Sequence, residues 1–74
     1  MNSEQAEVAV KKNISLYVKY KSLARLAECD DRANKYNSKA REELYTIKNI
    51  YSRFPNTGKI ISKNKDLKKL LLGG

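Results

Sequence analysis

Arg53, Lys59, Lys63, Lys65, Lys68 and Lys69 crowd positive charge toward the end of this 74-residue chain, and Asp66 is the one acid among them. Ammonium and guanidinium groups at that density suit contact with the phosphates of a polyanion, where each neutralised phosphate releases a counterion. A solvated helix face accounts for Lys68 and Lys69, which stand near the negative pole of a last short helix. It does not account for Lys59, Lys63 and Lys65. These precede or open that helix, where the dipole disfavours cations. They point to an external anion, which the N–H groups of the helix start could help to hold.

A second set, Lys21, Arg25, Arg32, Lys35 and Lys39, falls within about 40° of one line on a continuous helix, over about 27 Å. Glu28 is the single acid on that line. If the chain reverses between Glu28 and Ser38, the line splits. Lys21 and Arg25 then belong to one helix, while Arg32, Lys35 and Lys39 lie near the turn, as a patch at one end of a hairpin. Tyrosines interleave with these cations and offer rings for unpaired bases. Tyr20, Tyr36 and Tyr51 lie on apolar seams and read as core, which leaves Tyr17 and Tyr45 as candidate platforms.

Other chemistry is excluded by residue type. The chain has no histidine and one cysteine, so it offers no zinc set, no nucleophile with a histidine base and no redox dithiol. Asp30–Asp31 and Glu42–Glu43 are adjacent pairs, and neighbours on a helix diverge by about 100°, too far to share one substrate as paired carboxylates must. Gly58-Lys59 lacks the upstream glycine of a phosphate-binding loop and has Ile60 where a magnesium-binding hydroxyl belongs. The reading is a protein that is not an enzyme and needs no cofactor or metal.

Sixteen basic and eight acidic side chains give a net charge of +8. Residues 1–37 carry +2 of it and residues 38–74 carry +6. DNA or RNA is the expected partner, with an acidic protein as the alternative. Cys29 reads as a small apolar residue at a seam edge. A lone cysteine without a secretory leader suits a reducing compartment, the cytoplasm or, for a viral protein, the host-cell interior. No apolar run approaches the ~20 residues of a membrane span.

The elements that position these groups are helical. Neither proline nor glycine occurs from Ser3 to Phe54, and the composition favours helix throughout. Asn2 or Ser3 can cap the start. Ala9, Leu16, Tyr20, Leu23 and Ala27 form one apolar seam, widened by Val8 and Leu26, and Ala33, Tyr36, Ala40, Leu44, Ile47, Tyr51 and Phe54 form another. Because the seams differ by about 100°, a straight rod would present two unrelated faces. An antiparallel hairpin buries both. Seam phase places the break at Cys29–Arg32, with Asp30 or Asp31 as N-cap. Turn composition places it at Asn34–Ser38, and on that choice the helices run over 3–33 and 38–54. An unbroken helix pairing with a second copy is the competing arrangement.

Pro55–Gly58 reads as a turn in which Asn56 and Gly58 accept positive φ, and Lys59–Ser62 as an extended link whose isoleucines tuck under the hairpin. A short helix over 63–72 follows, capped by Ser62 or Asn64. Leu67, Leu70 and Leu71 share one side of it, and Gly73 is its stop. A helix that short is unstable alone and must dock. The expected architecture is therefore one small all-α domain, a helical hairpin plus a short C-terminal helix, assembled as a four-helix homodimer.

Overall fold

The computed structural model describes residues 1–73, and among them every regular element is helical: α1 (Ser3–Leu26), α2 (Asp30–Arg53), a 3-10 turn (Pro55–Thr57), α3 (Gly58–Ile61) and α4 (Lys65–Leu72). α1 and α2 pack as a hairpin. The Asn2 side chain accepts a hydrogen bond from the Gln5 N–H at 2.8 Å, and the Gln5 side chain accepts one from the Asn2 N–H at 3.0 Å. This reciprocal box satisfies donors that a helix start otherwise leaves open.

The chain reverses at 27–29. Ala27 and Cys29 adopt extended backbone, and among the described residues the only one with positive φ is Gly73. The reversal thus needs no glycine. Cys29 occupies the N-cap position of α2 without a side-chain bond, and Asp30 and Asp31 fill the first turn, where their charges offset the positive helix pole. Seam phase was therefore the better guide than turn composition. α1 stops well short of residue 33, α2 begins well before residue 38, and Asn34, Asn37 and Ser38 are exposed residues inside α2. Asn34 and Ser38 are tolerated there as side chains free to turn to solvent, and the Asn37 side chain accepts from the Lys21 ammonium.

On α2 the expected seam is the buried one. Ala40 and Ile47 are buried and Ala33, Tyr36, Leu44, Tyr51 and Phe54 are half-buried. On α1 the buried line is Ala6, Val10, Tyr17 and Ala24, rotated by one flank from the seam read in the sequence. Leu16, Tyr20, Leu23 and Ala27 are only half-buried, and Val8 and Leu26 are 68% and 75% exposed. α1 is apolar most of the way round, so periodicity alone did not say which side faces α2. Small residues decide the approach: Ala6, Ala24 and Ala40 let the helices close around Tyr17 and Val10.

After α2 the chain turns tightly. Thr57 is fully buried and its hydroxyl donates to the Phe54 carbonyl at 2.8 Å. The segment from Pro55 to Ile61 is helical, not a positive-φ turn followed by an extended link. Gly58 has φ −56, and its smallness serves another end, since a Cβ there would come within 3.1 Å of the Tyr51 ring. Ile61 is fully buried, as the sequence led one to expect of this segment, and Ile60 packs at the core's edge.

α4 then lies on the hairpin. The Asn64 side chain caps it by accepting from the Leu67 N–H at 3.0 Å, and left-handed Gly73 terminates it. Leu67 is fully buried, with Leu71 and Leu72 packed against the core. Leu70, expected on the same side, is 58% exposed. Angular offset from Leu67 does not explain this, since Leu72 lies further round the helix and still packs. Truncating Leu67 to Ala should cost about 2–5 kcal/mol, which for so small a domain lowers the melting temperature by at least about 8 °C. Leu70→Ala should leave the melting curve nearly unchanged when both are followed by circular dichroism.

Candidate nucleic-acid interface

All of Lys21, Arg25, Arg32, Lys35, Lys39, Arg53, Lys59, Lys63, Lys65, Lys68 and Lys69 are solvent-exposed. They do not form one surface. The reversal at 27–29 breaks the straight line that a continuous helix would have made, and at about 100° per residue the two halves leave the hairpin on opposite flanks. Lys21 and Arg25 turn toward the side crossed by α4, where they border a cavity with Asn64 and Asp66. Arg32, Lys35 and Lys39 turn to the other flank. There the Lys39 ammonium lies 5.7 Å from the centroid of the Tyr20 ring, within range of a cation–π attraction.

Arg53, in the last turn of α2, shares the Lys35 side of that helix but lies about 27 Å further along, beside Met1 and Phe54. Lys59 belongs to α3 and Lys63 to the link before α4. Lys65, Lys68 and Lys69 occupy the face of α4 that turns away from buried Leu67. The start of α4 is already partly satisfied. The Leu67 N–H goes to Asn64, and the Asn64 N–H to the Ile61 carbonyl at 3.0 Å. Fewer N–H groups remain there for a phosphate than the sequence alone suggested.

Two further assignments change. Tyr17, read as a base platform, is 6% exposed and part of the core, whereas Tyr45 is 57% exposed and free to meet a ligand. Cys29, read as a seam residue, is exposed at the hairpin turn. Among the described residues no three of His, Cys, Asp and Glu gather as a metal site.

One arrangement was missed. On the α4 side, two adjoining cavities of about 430 and 540 Å³ share Tyr17, Lys21 and Asn37. The Lys21 ammonium spans the helices to the Asn37 side-chain oxygen at 3.5 Å. Arg41 joins the larger cavity from α2, four residues beyond Asn37, with Leu70 at its edge. The pairing of Asn37 with Arg41 at i and i+4 was visible as a spacing, but nothing in the sequence said that Lys21 would face it.

No helix is long and apolar enough to cross a membrane among the described residues. No family model, curated protein or solved structure matches the chain.

Tyr17 has a measurable electrostatic signature. Burial pushes its phenol above the ordinary tyrosine value, and the nearby Asp66 carboxylate raises it further. The folded state therefore holds this proton more tightly than the unfolded chain does. Its contribution to stability is intact below the ordinary value of about 10 and is lost as pH rises through the folded-state value. Chemical denaturation at a series of alkaline pH values should show stability falling above about pH 10, with a shallower fall in Tyr17→Phe.

Proposed function

We propose that this protein binds nucleic acid without catalysing a reaction, through Lys and Arg contacts to phosphate and with little sequence preference. The observation that carries the reading is the exposed lysine set of α3, the link and α4: Lys59, Lys63, Lys65, Lys68 and Lys69, opposed by Asp66 alone. Lys65 opens α4, where the local dipole disfavours a cation, whereas Lys59 and Lys63 lie at the C-terminal end of α3. A polyanion supplies the missing partner. α4 is anchored by Leu67 and Leu71, so its lysines are presented from a docked helix, not from a loose tail. Contacts of this kind position a duplex or strand without reading its bases.

The working unit on this reading is a homodimer in the cytoplasm or, for a viral protein, within the host cell. Support comes from α1, whose Leu16, Tyr20 and Leu23 are half-buried on the flank away from α4, while Val8, Val18 and Leu26 are exposed. A helix apolar on so many sides is suited to burial by a partner.

The same exposed α1 surface favours a second reading, a protein-binding adaptor or inhibitor whose basic face meets an acidic protein. Salt dependence separates the two. Phosphate contact predicts a log–log slope of affinity against salt of about −4 to −5 for about five phosphates neutralised on a generic duplex. Lys63→Glu with Lys65→Glu should abolish duplex binding while helix content stays unchanged, and Lys12→Glu with Lys19→Glu, on the outer face of α1, should not. Equal loss from both pairs reduces the effect to diffuse attraction. No gel shift at low salt, with capture of a defined acidic protein, decides for the adaptor.

A further inference from the structure

Phosphate contact through α3 and α4 leaves Lys21, Arg41 and exposed Leu70 without a common role. They meet in the groove between α1 and α2 where α4 crosses it. The larger cavity there, about 540 Å³, has Lys21 on its α1 wall, Asn34, Asn37 and Arg41 on its α2 wall and Leu70 at its α4 end. No acid borders that cavity among the described residues.

The wall chemistry is ordered along the groove. Lys21 stands opposite Asn37, as their 3.5 Å contact shows, and Arg41 follows Asn37 by one turn, about 6 Å further along α2. Two cations thus flank one slot from opposite helices. Asn34 and Asn37 each carry both a donor and an acceptor amide group. Leu70 is 58% exposed on a helix whose neighbouring leucines all pack against the core, and with half-buried Leu44 it closes the slot with apolar surface. Charge pair, amide pair and apolar end correspond to the phosphate, base edge and base face of a nucleotide.

Width selects among nucleic acids. Packed helix axes lie about 8–10 Å apart and their side chains fill most of that span, so what opens between Lys21 and Arg41 is a surface valley whose floor a duplex, held off on the helix rims, does not reach. An unpaired strand is slim enough to enter. On the far side of Lys21 the smaller cavity is bordered by Arg25 but also by Asp66, whose carboxylate repels a phosphate, so the Arg41 side is the favoured seat. We infer that the slot between Lys21 and Arg41 takes an unpaired nucleotide of a single-stranded segment, with its phosphate on the two cations, its base edge on Asn34 and Asn37, and its base face on Leu70. This rests on the nucleic-acid reading above and adds a single-strand site distinct from the outward lysines of α4.

Fluorescence anisotropy tests it with a labelled mixed-sequence strand of about twelve nucleotides, within the range such grooves cover, and its duplex. Lys21→Gln with Arg41→Gln should weaken the strand at least about tenfold and shallow its salt slope by about 1.4, while duplex affinity stays within about twofold. Lys12→Gln with Lys19→Gln removes the same charge from the outer face of α1 and should change neither by more than about twofold. Leu70→Ala should weaken the strand several-fold with its salt slope unchanged, and melting curves identify any loss due to unfolding. A strand affinity untouched by the Lys21 and Arg41 pair, or lost equally from strand and duplex, overturns the slot while leaving the general reading in place. Full affinity in Leu70→Ala overturns the base contact, and wild-type protein that binds neither strand nor duplex overturns both proposals.

Discussion

Leu67 and Ile61 close a core that the two long helices cannot complete by themselves. α1 and α2 meet across Val10, Tyr17, Ala40 and Ile47, with Ala6 and Ala24 beside them on α1 adding little apolar area of their own. A chain of this length has little stability to spare. The turn at Pro55 carries Ile61 and then Leu67 onto the hairpin, and both are fully buried. Neither α3 nor α4 is long enough to hold its own helix, so docking and folding of this end are one event.

What was legible in the sequence follows from how many signals agreed. Asn2 with Gln5, Asn64 before "KDLKKLLL" and Gly73 after it are local rules with local consequences, and each cap sits where those rules put it. α2 has one apolar seam on an otherwise polar helix, and Ala40 and Ile47 are buried on it. α1 offered no such contrast. Its leucines and valines surround it, and only tertiary contact could choose Ala6, Val10, Tyr17 and Ala24 as the inner line. That choice put Tyr17 in the core, with Tyr20 half-buried and packed against it. Gly58 was misread for a related reason: its requirement is imposed by the Tyr51 ring, which is near in space and seven residues away in the chain.

The break between the long helices shows two rules in competition. Asn and Ser favour turns where nothing else decides, and "NKYNS" is rich in both. Yet a break there would have left Ala33 on the first helix, out of phase with its seam, and Tyr36 in the turn. Two extended residues, Ala27 and Cys29, reverse the chain early enough to place both on α2. Asp30 and Asp31 then lie at the helix pole that favours them. Burial outweighed turn propensity because tertiary packing supplies most of a helix's stability.

The same reversal governs the charges. Positions that would have formed one cationic line are sent to opposite flanks, so the chain is not a rod with a charged edge. Local dipoles favour a cation at the end of α4 and disfavour one at its beginning, yet lysines stand at both. Leu67 holds this short helix down while Lys65, Lys68 and Lys69 face outward, so the core contact and the charged surface are two sides of eight residues. Ordering those lysines against one another costs repulsion, and the docked leucines supply the attraction that offsets it. That repulsion is what the anionic partner proposed above would relieve.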